Sequence, residues 1–397
     1  MENSKIIAMA SDVNYLEQLE TAIKSIFYHN RNTKIYIINS DIPQEWFNHI
    51  RRNLYLTNNS IFDKKIDESI FKCLATPYSY VSYMTYARLL IPQLIPENKV
   101  LYLDSDIIVN DKLDSLFNIP LKDHYVAATP DPLRGFNAGV MLINNQLFHH
   151  NPHKVKQLFN VSQNKENAQA DQTALNIVFG DTYLKLSNQY NYMISGEQYL
   201  TYNYKDLREK HVVRLNNVTN PKIIHYAGGD KPWSLTSGGL MRDIWWQYRN
   251  LSWENVLSRR LLEPVRPKSK GEFFTFTPTD DLFNIKSLIK QLPEYTFNIA
   301  AWVPMSSKLI SLLEYPNVRL YSRVSEGRVQ QLVRKCDLYL DINSLKEGGF
   351  SDKFSYLGKP IFSFASVARP NNHQNYHVFA DNDIHGMVKA INKIFND

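Results

Sequence analysis

At 397 residues the chain is too long for one ordinary domain, and a content of 44% hydrophobic and 21% charged residues is that of a globular protein with two cores. A net charge of +6 suits anionic small molecules, acidic partners or a membrane surface, but no DNA- or RNA-binding signature accompanies it, so nucleic acid is excluded as an expected partner. The only two cysteines, Cys73 and Cys336, lie far apart and outside any Cys-x-x-Cys pair, which excludes a disulfide framework and a structural zinc site and predicts buried, reduced thiols.

The apolar run at 6–10 is too short for a signal peptide and leads straight into Asp12. No window approaches the roughly 20 apolar residues of a membrane span, so a cytoplasmic location is expected. Residues 5–10 read as a buried strand, 16–28 as a helix by the spacing of Leu16, Leu19, Ile23, Ile26 and Phe27, and 34–39 as a second strand. This βαβ order puts the loop of Asp12, Asn14 and Tyr15 at the ligand end of a sheet. The same residues would also serve as an Asx turn with a capping role. No Gly-x-Gly-x-x-Gly is present, so a dehydrogenase-type dinucleotide fold is not expected. Residues 82–94 read as a helix whose one cation, Arg88, must pair with an acid or meet an anionic ligand.

Residues 100–109, Val-Leu-Tyr-Leu-Asp-Ser-Asp-Ile-Ile-Val, form the centre of the reading. The first four are apolar on both faces, as in the middle strand of a covered sheet. Asp104 and Asp106 then sit at the strand end, where open α/β sheets place ligands. Two such close carboxylates favour a divalent, oxygen-loving cation that can clamp a diphosphate, although a plain turn or cap would use the same pair. A short helix over 111–117 and a strand over 125–129 follow, then Asp131. In Gly135-Phe-Asn-Ala-Gly139 the small residues permit close backbone approach, with Asn137 as a candidate sugar or diphosphate contact. Asp171-Gln172-Thr173 opens a helix to 179. A strand at 223–225 ends on His225, and Gly228-Gly-Asp-Lys231-Pro-Trp233 comes next.

In this order the pieces resemble glycosyltransferase family 8, which includes bacterial lipopolysaccharide galactosyl- and glucosyltransferases and glycogenin. The resemblance covers about 6–260. It implies a GT-A fold, a nucleotide-sugar donor, a divalent metal (manganese or magnesium) and retention of anomeric configuration. Position by position, it implies Asp104, Asp106 and His225 as metal ligands. It implies Asp12, Asn14 and Tyr15 around uracil and ribose, with Tyr15 stacked on the base. Arg88, Ser105, Asp131, Asn137 and Asp171 would contact the donor, Gln172 would lie near the reactive carbon, and Gly228 and Lys231 would close on the diphosphate. Gln172, Asp171 and Arg88 are thus assigned to the chemistry. With no carboxylate placed as a covalent nucleophile, a front-face displacement is favoured, and Asp171 is the carboxylate to exclude. The connection from Asp131 to Asn137 is shorter than in the lipopolysaccharide enzymes, which suggests an open acceptor site suited to a glycan on an extended polypeptide.

Domain boundaries are expected at 1–263 for the catalytic domain, 264–271 for a Pro- and Lys-containing linker, and 272–397 for a smaller Rossmann-like α/β domain. Residues 240–260, with Trp245, Trp246 and Trp253, read as one helix closing the first domain; packing is the favoured role, and its aromatic and basic residues leave weak membrane association open. In the second domain, strands are expected at 273–277, 295–302, 318–321, 338–342 and 360–364. Helices are expected at 281–292, capped by Asp280, and at 384–395. This domain resembles the nucleotide-binding half of a GT-B glycosyltransferase. Its 344–351 stretch looks like a Glu-Gly donor loop whose second glutamate is missing, so acceptor binding or self-association is the expected role. The pairing of the two domains resembles the glycosyltransferases of serine-rich-repeat adhesins in Gram-positive bacteria. That implies transfer of galactose or glucose from a UDP-sugar to a glycan on a protein. A lipid-linked acceptor and a non-catalytic glycoprotein-binding scaffold are the alternatives.

Overall fold

The computed structural model describes residues 4–72, 74, 82–132, 135–164, 170–194, 217–237, 240–259, 269–324, 326–345, 350–369 and 374–396. They fall into two compact units. The first runs from the N-terminal strand to Gly228 and resumes at Asp243; the second takes Gly229–Arg242 and the chain beyond Glu263. The linker expected at 264–271 lies mostly outside the described residues, as do Cys73 and Glu347–Gly349 of the Glu-Gly stretch.

The strands of the first unit are, in chain order, β1 (Lys5–Ala10), β2 (Thr33–Asn39), β3 (Ser60–Lys65), β4 (Lys99–Leu103), β5 (Ile107–Val109), β6 (Val126–Pro130), β7 (Phe136–Asn144), β8 (Leu184–Lys185), β9 (Tyr192–Met193) and β10 (Ile223–His225). Seven of them form a sheet in the order β3-β2-β1-β4-β7-β6-β8. β1 to β4 run parallel, and β7 runs antiparallel to both β4 and β6. β4 is therefore central, and Val100, Leu101, Tyr102 and Leu103 are all buried, as an apolar run with helices on both faces requires. A second, three-stranded sheet has the order β5-β10-β9. Asp104-Ser105-Asp106 is the link by which the chain passes from one sheet to the other.

The helix expected over 16–28 is present as Leu16–His29, and it buries Leu19, Ile23, Ile26 and Phe27. The one expected over 82–94 is different: a run of 3-10 turns, Tyr83–Leu90, leads into a single α turn, Ile91–Leu94. Pro92 accounts for the last bond of the run. It has no N–H for the Arg88 carbonyl, which accepts from Ile91 N instead. The single helix expected over 240–260 is two, Arg242–Arg249 and Trp253–Ser258: the first closes with Leu251 N donating to Tyr248 O, and Ser252 caps the second by accepting from Asn255 N. Trp245, Tyr248 and Trp253 are buried, in keeping with a packing role. The 135–144 segment, read only as small and approachable, is the nine-residue strand β7. It pairs antiparallel with β6 as far as Pro130 and Phe136, where Asp131 N donates to Gly135 O and Gly135 takes φ +60.

The second unit has a six-stranded sheet made of β11 (Glu272–Phe276), β12 (Thr296–Ala300), β13 (Val318–Tyr321), β14 (Leu338–Leu340), β15 (Ile361–Phe364) and β16 (Tyr376–Phe379). All pairs are parallel, in the order β13-β12-β11-β14-β15-β16, which is that of a doubly wound α/β sheet. β16 was not anticipated; it is an edge strand with no apolar alternation strong enough to mark it. The helix expected at 281–292 starts later, at Ile285–Gln291, and Asp280 does not cap it. Phe283 N donates to Ile342 O, and Leu282 bridges to Asn343, so the backbone stays extended past the expected start. Among the described residues no helix is long and apolar enough to cross a membrane.

Candidate active site

The link between the two sheets is held at both ends by backbone. Asp104 N donates to Gly139 O of β7 at 2.8 Å, and Tyr226 N, just past β10, donates to Asp106 O at 3.0 Å. Between them the Ser105 hydroxyl donates to Ala10 O at the end of β1. The antiparallel register of β5 with β10 sets His225 opposite Ile107, one residue from Asp106. Ligand atoms of Asp104, Asp106 and His225 consequently lie within 4.8 Å of one another. His225 Nε2 is 3.3 Å from Asp106 Oδ1 and 3.8 Å from Asp104 Oδ2, and its ring is buried.

These residues fit a divalent cation. Two carboxylates this close repel by roughly 3–4 kcal/mol at an effective dielectric of ~20, and a cation between them removes that cost. Two carboxylate oxygens and one imidazole nitrogen make a donor set for a metal of intermediate hardness, such as manganese. Room is kept by Gly139. A Cβ there would stand 2.3 Å from His225 Cε1 and 2.6 Å from Asp104 Oδ2.

Behind the carboxylates lies Arg88, buried in its 3-10 segment. Its guanidinium spans two acids, with Nη2 2.9 Å from Asp104 Oδ1 and Nε 2.9 Å from Asp171 Oδ2. Nη1 donates to Ala138 O. Tyr102 OH also donates to Asp104 Oδ1, at 2.7 Å, so Oδ2 is the oxygen turned toward His225. The Thr85 hydroxyl donates to Asp171 Oδ1 and accepts from Arg88 Nη2. Burial alone would lower the Arg88 pKa, but Asp104 and Asp171 outweigh it and hold the guanidinium above its ordinary value. Burial pushes the Asp171 carboxyl up, against the opposing pull of Arg88 and Thr85. Asp171 Oδ1 is thus hydrogen-bonded, while Oδ2 is matched by the charge of Arg88 without accepting a hydrogen bond, since Arg88 Nε donates to Thr85 O.

At the end of β1, Asp12 Oδ1 accepts from Asn14 N and Oδ2 from the Ser82 hydroxyl. The capping role weighed for this loop is therefore present. Asn14 is exposed and Tyr15 half-buried. Burial first, then the charges of Asp106, Asp104 and Asp12, raise the Tyr15 phenol well above its ordinary pKa, so the ring stands within the field of the carboxylate pair.

On β7, Asn137 Nδ2 donates to Gln172 Oε1 at 3.2 Å, and Ala138 N donates to the same oxygen at 3.0 Å. Gln172 Nε2 is 3.5 Å from Asp131 Oδ2. Asp12, Tyr15, Arg88, Asp104, Ser105, Asp106, Asp131, Asn137, Asp171, Gln172 and His225 therefore all belong to the first unit. Gly228, with φ +89, is the last residue of that unit before the chain leaves it. Lys231 belongs to the second unit, where its ammonium stands 5.7 Å from the centroid of the Trp233 ring.

Four contributors were not singled out from the sequence: Gly139, Thr85, Tyr102 and Asn191. The small-residue run signalled Gly139. Tyr102 stands two residues from Asp104 on the same strand and so shares its face. Thr85 and Asn191 had no local signal, because Asp171, which Thr85 holds, and His225, which Asn191 faces, lie far away in sequence.

A model described as "Glycosyl transferase family 8" matches residues 6–237, and one described as "GftB/GlyA-F C-terminal domain" matches 273–397. The chain is 35% identical over 387 residues to glycosyltransferase GlyE of Streptococcus pneumoniae, covering 94% of this chain and 93% of that protein. It is 33% identical to glycosyltransferase GlyB of the same organism, covering 100% of each. The crystal structure of GlyE superposes with a TM-score of 0.55 at 32% identity over 99% of both chains. The galactosyltransferase LgtC, solved with donor and acceptor sugar analogues, shares the fold at TM-score 0.54 and 24% identity, covering 63% of this chain and 99% of that one. The first match spans more than half of the chain and contains the whole cluster around Asp104, Asp106 and His225, and two relatives are similar from end to end; the chain belongs to glycosyltransferase family 8.

Proposed function

We propose that the chain is a metal-dependent retaining glycosyltransferase that moves galactose or glucose from a UDP-sugar to a glycan already on a protein, a serine-rich-repeat adhesin being the acceptor class. The observation that carries this reading is the gathering of Asp104, Asp106 and His225 within 4.8 Å, with Gly139 leaving room beside them. A bound manganese or magnesium ion supplies charge neutralisation for the diphosphate of the leaving UDP. The remaining roles fall to side chains. Tyr15 offers a flat face for the uracil, and Asp12 and Asn14 offer polar groups for the ribose. Asn137, Asp131 and Gln172 form a polar wall for the sugar. Gly228 and Lys231 are assigned to the phosphates by the family resemblance.

Front-face displacement is the favoured course. The acceptor hydroxyl attacks the anomeric carbon from the side of the leaving phosphate, whose oxygen takes the proton as the sugar–phosphate bond breaks. The pairing of Asp171 with the buried Arg88 guanidinium and the Thr85 hydroxyl on its Oδ1 support this, because a carboxylate whose charge is matched in this way is a weakened nucleophile. The shortness of the connection from Asp131 to Asn137 supports an acceptor site open enough for a glycan on an extended polypeptide. The second unit would serve acceptor binding or self-association, and the enzyme would work in the cytoplasm.

The test is release of UDP by purified protein with manganese, comparing UDP-galactose, UDP-glucose and UDP-N-acetylglucosamine with and without a glycopeptide acceptor. Hydrolysis or transfer of one hexose, abolished by chelator and by Asp104→Ala, is the expected result. Turnover unaffected by chelator, or no manganese-dependent UDP binding at all, would overturn the reading.

A further inference from the structure

We infer that Asn191 is the positioning residue of the metal site: it fixes the tautomer of His225 and ties that ring to Asn137 and Gln172. The inference rests on the reading of His225 as a metal ligand and adds the residue that prepares it.

Asn191 follows a 3-10 turn and precedes β9, and its side chain is buried. One end of its amide lies 2.9 Å from His225 Nδ1 and the other 2.9 Å from Asn137 Oδ1. Which end is oxygen follows from the backbone. Gly139 N donates to Asn137 Oδ1 at 3.0 Å, and a backbone N–H can only donate, so that atom of Asn137 is its oxygen. The Asn191 atom facing it must then be the NH2 group. The Asn191 oxygen is left facing His225 Nδ1, and an amide oxygen can only accept. Nδ1 therefore carries the ring proton, and the Nε2 lone pair points at Asp104 and Asp106.

A second backbone anchor fixes the far end. Ala138 N donates to Gln172 Oε1, so the Asn137 NH2 group donates to that oxygen and Gln172 Nε2 turns to Asp131. Two adjacent N–H groups on β7 thus set the polarity of a chain of four side chains from His225 to Gln172. Ligating histidines are commonly oriented by such a partner on the second ring nitrogen, and its loss typically costs about 10–100-fold in metal affinity. Asn191 is unusual in that its other end reaches the group assigned to the sugar.

The experiment uses the full-length protein without metal at pH 8, labelled with 15N-histidine, and a manganese titration read by electron paramagnetic resonance. His225 is identified by the resonance lost in His225→Gln. Wild type is expected to show the Nδ1–H tautomer. Asn191→Leu is expected to lose that preference and to bind manganese about 10–100-fold more weakly. Asn191→Asp keeps an acceptor for Nδ1 but has no donor for Asn137. It is expected to retain the tautomer and manganese affinity within a few-fold while kcat falls with KM for the donor little changed. An Nε2–H tautomer in wild type overturns the inference whether or not the leucine variant folds. So does a folded Asn191→Leu with wild-type tautomer and affinity. Failure of wild type to bind manganese instead sinks the metal-site reading, and the tautomer of the metal-free ring still decides the role of Asn191.

Discussion

Gly139→Ala is the sharpest single perturbation the site offers. Its backbone does not need the left-handed region, so alanine brings no φ strain, and in a strand it would ordinarily gain a few tenths of a kcal/mol from reduced unfolded-state freedom. Here the added carbon lands 2.3 Å from His225 Cε1 and 2.6 Å from Asp104 Oδ2. Ordinary contact between carbons is about 3.5 Å, so the imidazole must retreat by on the order of 1 Å or β7 must move away. Overpacking of this kind costs about 1–3 kcal/mol. A shift of ~1 Å at a catalytic centre costs on the order of 100-fold in rate. The expected outcome is a lower midpoint of thermal unfolding and a fall of about 100-fold in manganese-dependent UDP release. Weaker manganese binding should accompany both. A variant with wild-type manganese dependence and turnover would show that the strand and the ring are not in contact, and the argument that Gly139 makes room for the metal would be lost.

Asp171→Asn removes one acid from the buried Arg88 and places an NH2 or carbonyl where a carboxylate matched it. Loss of one partner of a buried pair predicts destabilisation of about 3–5 kcal/mol, read by urea unfolding, and azide should not restore turnover, whereas rescue by azide would make Asp171 the nucleophile. His29, with Nε2 2.6 Å from Tyr248 OH, has its pKa lowered by burial to about 4. The unfolded imidazole takes up its proton near pH 6.5, so stability present above that value is lost as pH falls toward 4. Between pH 7 and 5 this amounts to about 1–2 kcal/mol, allowing for solvent screening of the partly open ring. Urea unfolding of wild type and His29→Gln at pH 7, 6 and 5 should show the shallower decline in the variant; parallel declines would remove His29 from the account.

The sequence pattern marked the central strand because nothing but a covered sheet tolerates Val-Leu-Tyr-Leu on both faces, and strand-end logic then put Asp104 and Asp106 at the ligand edge. His225 was legible as a strand-end residue beside glycines. Asn191 was not, since an asparagine after a turn is common and its significance lies in what faces it from β7 and β10. Arg88 was marked as a cation needing a partner, but not that it spans two acids, since Asp171 is 83 positions downstream. The 3-10 form of 83–90 escaped because periodicity reports which residues are apolar, not which carbonyl each N–H chooses; only its last bond, at Arg88, is marked in the sequence by Pro92.

Asp104-Ser105-Asp106 is the junction at which one sheet hands the chain to another. The main chain of its two acids takes its coordinates from the ladders on β7 and β10, while Tyr102 and Arg88 orient the Asp104 carboxylate. The flanking aliphatic positions, Val100, Leu101, Leu103 and Ile107–Val109, can accordingly be exchanged among branched aliphatic residues of similar volume, with Tyr102 kept, and the frame that carries the acids stays where it is. For protein engineering, the ligand set and the scaffold are separable here: chemistry at the junction can be rewritten with the address left intact.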